Sequence, residues 1–216
     1  MVQKISYTKL YTKAFDFFLK YDILNVYENF FLKYGDKRNL LNMKNKILTE
    51  KFFCRDCLEV APELVGKLLV RTFDDGTECS LRITETEAYR GEEDTACHAS
   101  KGRTPRTELL YGKPGYIYIY LCYGMHWLLN VVTGEEDQPQ GVLFRACEIY
   151  NGPAKLTKKL GMEKSFNGEP IFGNPRIRLE DDGFRPEIEA LPRVGINYAT
   201  PEYRDILWRF ADINRK

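Results

Sequence analysis

The chain has 216 residues, 44% hydrophobic and 29% charged, which suits one domain with a sizeable core, or one domain and a small appendage. Its formal net charge of +1 gives no general basic balance, so any nucleic-acid footprint has to be local. The longest apolar runs are broken by charge before the ~20 residues a membrane span needs, so no membrane partner is expected.

Lys4, Lys9, Lys13, Asp16 and Lys20 interrupt the apolar start, and no small-residue cleavage site follows. The segment does not read as a secretory signal, and a cytoplasmic location is expected. Within residues 1–50, Ile23, Val26, Tyr27, Phe30, Phe31 and Tyr34 recur at helical spacing between Asp22 and Gly35, which predicts an amphipathic helix with caps at both ends. Lys and Arg outnumber Asp and Glu there, which fits a helical layer packed on the main domain or a DNA-binding arm. Cys54 and Cys57 form the only close cysteine pair, two of the four ligands structural zinc wants, and the only histidines are His98 and His126. Reduced thiols are expected, with no metal and no cofactor.

From Phe52 the pattern turns to strands. Lys67–Phe73 and Glu78–Tyr89 flank the turn Asp74-Asp75-Gly76, a hairpin signal. Tyr116–Leu121 and Trp127–Thr133 flank a short Cys-Tyr-Gly-Met connection, and Gly141–Glu148 follows the acidic loop at Glu135, Glu136 and Asp137. Short helices are predicted near Pro62–Val65 and Pro105–Leu110, and another opened by Gly152-Pro153 and closed by Gly161. The Gly- and Pro-punctuated stretch from Gly168 onward reads as mostly irregular. The expected architecture is α+β: one domain at 51–216 with a central antiparallel-rich sheet, curved and barrel-like, surrounded by helices, plus a helical N-terminal extension at 1–50.

Four features carry possible chemistry. Strand alternation puts Glu85, Glu87 and Tyr89 on one face, with the two carboxylates roughly 7 Å apart, a repulsive arrangement unless they are solvated, paired or functional. Tyr116, Tyr118 and Tyr120 share another face, as ordinary core or as an aromatic wall, while Tyr123 falls at a hairpin tip, where an aromatic can wedge into a base step. His98-Ala99-Ser100-Lys101-Gly102-Arg103-Thr104-Pro105-Arg106 offers amides, hydroxyls and cations together, as a solvated loop or a phosphate-positioning one. Arg145 lies among apolar residues and implies a carboxylate or a held water nearby, with Glu85 or Glu87 the candidates.

The segments RITETEAYRGEEDTACHA, GRTPRTELLYGKPGYIYIYLCYGMHWLLNVV, GVLFRACE and GPAKL, in this order, resemble the alkyladenine (3-methyladenine) DNA glycosylase family from about Phe52 to Phe210. The resemblance implies that Glu87 activates water and that Arg145 helps to hold it. It also implies that a flipped base is sandwiched between Tyr89 on one side and His98 with Tyr120 on the other, above Asn130 at the pocket floor. Tyr123, with Met125 beside it, would fill the gap left in the stack. The DNA backbone would be met by Lys101, Arg103, Thr104, Arg106 and Lys155. The implied partner is double-stranded DNA carrying a damaged purine, bound by a monomer at the nucleoid, or in the nucleus of a eukaryote.

The implied reaction is hydrolysis of the N-glycosidic bond of an alkylated purine, 3-methyladenine or 7-methylguanine, with ethenoadenine or hypoxanthine as further candidates. No lysine occupies a motif position suited to a Schiff base, so an intact abasic site is expected. A binding module without catalysis and a hydrolase of free nucleosides remain as alternatives. Leu207-Trp208-Arg209-Phe210 stands where the family often has Pro-Trp-Arg-Phe, which leaves the last strand open.

Overall fold

A computed structural model describes residues 45–215, so the N-terminal helix expected at 22–35 lies outside the described residues. The described residues hold ten strands: β1 (Lys46–Ile47), β2 (Leu68–Thr72), β3 (Glu78–Arg90), β4 (Ile117–Cys122), β5 (His126–Val132), β6 (Gln140–Cys147), β7 (Tyr150–Asn151), β8 (Ile177–Asp181), β9 (Ile188–Leu191) and β10 (Arg209–Asp212). Four short helices accompany them: α1 (Glu50–Phe53), α2 (Cys57–Leu64), α3 (Pro153–Lys159) and α4 (Pro201–Asp205). No helix among the described residues is long and apolar enough to cross a membrane.

The strands pair antiparallel in the order β1-β8-β2-β3-β6-β5-β4, with β10 joining β3 to β9 and β7 joining β6. The expected barrel-like closure is not what forms: the sheet is open. β4 spends its outer edge on a loop, with Gly168 donating to the Ile117 carbonyl at 2.9 Å and Ile117 and Ile119 donating to Glu169 and Asn167 at 2.8 and 3.0 Å. An edge covered in this way offers no ladder to a further strand.

β3 is the hub. Its first half pairs with β2, its second half with β10, and β6 runs along its other side, so Glu85, Thr86 and Glu87 sit in the middle of a three-strand ladder. The stretch read as irregular supplies β8, β9, α4 and β10. The Leu-Trp-Arg-Phe sequence forms its strand after all, with Arg209 opposite Glu87 and Ala211 opposite Glu85. These strands are short and carry weak patterns; pairing with β2 and β3 decides them.

The helix expected near Pro62 begins earlier, at Cys57, because Asp56 caps it by accepting from the Leu58 amide at 2.9 Å. Cys57, Val60, Ala61 and Leu64 then bury one face at helical spacing. The helix expected at Pro105–Leu110 contracts to a 3-10 turn at Glu108–Tyr111. Upstream of it Thr104 and Thr107 exchange side-chain hydrogen bonds at 2.8 and 3.0 Å, which hold the chain in tight turns. α3 starts at Pro153 as expected, and Thr157 Oγ1 ties it to the Trp127 carbonyl at 2.7 Å, beside the β4–β5 hairpin. Phe53, Leu69, Ile83, Ile117, Leu129, Phe144 and Leu156 are fully buried in the main core.

Candidate active site

Two irregularities in the β3–β6 ladder shape the site. Ile83 faces Cys147 and Glu85 faces Ala146, so Thr84 is an extra residue; Thr86 then faces Phe144, which makes Arg145 an extra residue on β6. Bulges bend a strand and re-aim a side chain, and this one turns Arg145 toward the carboxylates of β3. Arg145 Nε lies 3.3 Å from Glu87 Oε1 and 3.8 Å from Glu85 Oε1.

Neither carboxylate is on a solvated face. Glu87 is 0% exposed and Glu85 5% exposed. Glu87 accepts from the Tyr89 hydroxyl at 2.8 Å on one oxygen and from the Val194 amide at 3.0 Å on the other. Burial raises its pKa above the ordinary carboxylate value, and Arg145, the Val194 amide and the Tyr89 hydroxyl oppose that rise. Burial, followed by the adjacent Glu87 charge, pushes the Tyr89 phenol well up, so it remains a donor. Glu85 instead accepts from Arg209 Nη1 at 2.7 Å.

Beyond Tyr89 a pocket opens, walled by His98, Tyr118, Tyr120, Asn130 and Tyr198. The His98 and Tyr120 rings meet edge-on with centroids 4.5 Å apart, and His98 Nδ1 shares a 2.9 Å hydrogen bond with the Tyr118 hydroxyl. Asn130 donates its amide to the Tyr118 and Leu128 carbonyls at 3.1 and 3.4 Å, which fixes its orientation. Burial, then the charges of Arg106 and Lys101, lower His98 to about 4, so the ring is neutral at physiological pH.

A group with a depressed folded-state pKa favours folding above its unfolded value. Its contribution is therefore expected to be whole above pH 6.5 and lost as pH falls toward 4. Thermal melts across that window check this, and His98→Gln should remove that part of the acid destabilisation.

Several of the expected residues do not converge. Tyr116 lies before β4 and packs edge-on against Phe172, outside this wall. Arg103 is committed elsewhere: it forks onto Glu108 at 2.7 and 2.9 Å and reaches Asp137 at 2.6 Å. The acidic loop thus turns Asp137 onto the basic loop. Lys101, Thr104 and Arg106 line a second cavity with His98, Ser100 and Tyr198, next to the aromatic pocket. Lys155 is exposed on α3.

Tyr123 and Met125 project from the β4–β5 hairpin, 85% and 71% exposed. Tyr123 and Gly124 have φ of 50° and 68°, and Met125 N donates to the Cys122 carbonyl at 3.1 Å. Two successive positive φ values closed by this hydrogen bond make a type I′ turn, whose first central position favours Asn, Asp or Gly. A tyrosine there costs roughly 1–2 kcal/mol of left-handed strain, and the ring is presented to solvent rather than buried in return.

Sequence reasoning missed the support behind Tyr89. Arg193 and Asp94, both fully buried, pair at 2.6 Å, and the guanidinium stands 4.6 Å from the Tyr89 ring centroid. Tyr118, left open between core and aromatic wall by its alternation with Tyr120, lines the pocket; Tyr198 was missed as a wall, and nothing local marked it.

The family model for methylpurine-DNA glycosylase matches residues 51–151 and 148–216. A protein of Nitrosococcus oceani named as a candidate 3-methyladenine DNA glycosylase is 43% identical over 184 residues, covering 76% of this chain and 89% of its own length. The DNA-3-methyladenine glycosylase of Arabidopsis thaliana is 38% identical over 187 residues, covering 77% of this chain and 71% of its own length. With the matched residues spanning the whole β3–β6–β10 ladder and the aromatic pocket beside it, the chain belongs to the methylpurine-DNA glycosylase family.

Proposed function

We propose that this chain is a monofunctional 3-methyladenine DNA glycosylase, acting through residues 51–216, and that it hydrolyses the N-glycosidic bond of alkylated purines flipped from duplex DNA. The observation that carries this reading is the fully buried Glu87, 3.3 Å from Arg145 and hydrogen-bonded to a tyrosine that walls an aromatic pocket. A carboxylate shielded from bulk water has a raised proton affinity, which suits a general base. Arg145 Nε lies 3.3 Å from it, and the N–H groups of the guanidinium can hold a water against it.

In the cleavage step Glu87 takes a proton from water as the oxygen bonds to C1′ of the sugar. The C1′–N bond breaks, and its electron pair leaves with the purine. Alkylation at N3 or N7 makes the purine cationic, so it departs without a general acid, and the sugar passes through an oxocarbenium-like state that the anionic Glu87 also stabilises. Tyr89 on one side, and His98 with Tyr120 on the other, would stack the cationic base, with cation–π attraction favouring it over a neutral one. Asn130 at the floor would crowd the exocyclic amine of guanine. Tyr123, with Met125, would occupy the vacated stack, and Lys101, Thr104, Arg106 and Lys155 would meet phosphates. A monomer on duplex DNA suffices for these roles.

Release of 3-methyladenine from a methylated duplex, compared with release from the free nucleoside, tests the reading. Strong preference for the duplex is expected; equal rates would favour a nucleoside hydrolase, and binding without release would favour a catalytically silent module. Salt dependence separates the cations. Replacing Lys101 or Arg106 with Ala is expected to flatten the log–log slope of binding against salt by about 0.9 each. Arg103→Ala should leave the slope nearly unchanged, because Glu108 and Asp137 already neutralise Arg103.

A further inference from the structure

The matched family and the pocket account for Glu87, but not for the second buried carboxylate one pleat away. Glu85 shares the face of Glu87 on β3 and is flanked by three guanidinium groups: Arg209 of β10 at 2.7 Å, Arg215 after β10 at 3.7 Å and Arg145 of β6 at 3.8 Å. Arg209 stands directly opposite Glu87 in the ladder, yet its guanidinium goes to Glu85 and to the Pro192 carbonyl, at 2.7 Å each. Arg145 Nε stays between the two acids, longer than a charge-assisted hydrogen bond to either.

We infer that Glu85, held by Arg209, is a positioning residue for base release: it draws Arg145 into a shared place between two carboxylates, so that the guanidinium neither closes onto Glu87 nor leaves it. This rests on the glycosylase reading. A fully closed Arg145–Glu87 pair would weaken the base and occupy the N–H groups needed for water, whereas a released Arg145 would leave a buried charge uncompensated. The groups facing Glu87 are Arg145, Glu85, Tyr89, Tyr120, the Val194 amide and the Arg193–Asp94 pair behind Tyr89. Those facing Glu85 are Arg209, Arg145 and Arg215, the last shared with Glu189 at 2.6 Å. Glu85 raises the proton affinity of Glu87 and Arg145 lowers it.

The test is the pH profile of single-turnover base release from a methylated duplex. Glu85→Gln removes the competing carboxylate and lets Arg145 close on Glu87. Its acid limb is expected to move down by about one pH unit, and its plateau to fall about tenfold. Arg209→Met removes the closest of the three partners of Glu85, so Arg145 is drawn off Glu87 and the limb moves up; Arg209→Lys should restore it. A structural role would lower stability without moving the limb in opposite directions. Should Glu85→Gln fail to fold, the Arg209 pair of variants carries the test alone. A wild-type chain that releases no base would overturn the glycosylase reading, whereas release with a limb that these substitutions leave in place, or shift the same way, would overturn only the role of Glu85.

Discussion

Glu87→Gln is expected to lower single-turnover release of 3-methyladenine by about 100- to 10,000-fold while leaving lesion binding intact, because a positioned general base contributes that much and an amide keeps the shape. The Gln oxygen can still accept from the Val194 amide, and its NH2 can donate to the Tyr89 hydroxyl, so the local hydrogen bonds survive. Stability should move the other way. The folded-state pKa of Glu87 is raised, so ionising it costs folding free energy as pH rises from the unfolded carboxylate value through the raised one. At neutral pH the Gln variant should therefore melt at an equal or higher temperature than the parent chain. Below the ordinary carboxylate range, where both states hold their proton, that difference should vanish. Burst-free release assays and melts at two pH values check both halves; retained release would remove Glu87 from the chemistry altogether.

The second large effect concerns the hairpin tip. Tyr123→Gly relieves the left-handed strain and is expected to leave stability unchanged or raise it by up to about 1 kcal/mol, since glycine takes positive φ freely. The same change removes the ring that would fill the emptied stack. Base extrusion from a duplex costs a few kcal/mol, and losing its compensation should slow duplex release by about 100-fold. Release from a single-stranded oligonucleotide, where little stacking is disrupted, should change far less. A variant that is destabilised, or that slows both substrates equally, would mark Tyr123 as a structural residue. Opposite movements of stability and activity are the signature of strain retained for function.

Both expectations depend on positions that the sequence marked in different ways. Period-two alternation from Glu85 to Tyr89 was enough to set Glu85, Glu87 and Tyr89 on one face, and the Asp-Asp-Gly and Cys-Tyr-Gly-Met connections were enough to place the β2–β3 and β4–β5 hairpins. Gly152-Pro153 announced α3. These signals are local: a strand period, a turn that demands positive φ, a proline that suits a first helical turn. The burial of both carboxylates was not local, because it depends on β10, a strand of four residues whose place is set only by pairing with β3 and β9.

Thus the chain alone determined which residues are candidates for chemistry and which of them face the same way, since backbone periodicity acts between near neighbours. Tertiary structure decided everything that rests on distant partners. The double bulge aims Arg145 between two acids. Arg193 and Asp94, 99 residues apart, back Tyr89, and Asp137 captures Arg103 across 34 residues. A side chain's charge is written in the sequence, but whether that charge is solvated, paired or spent depends on what folding brings within a few ångströms of it.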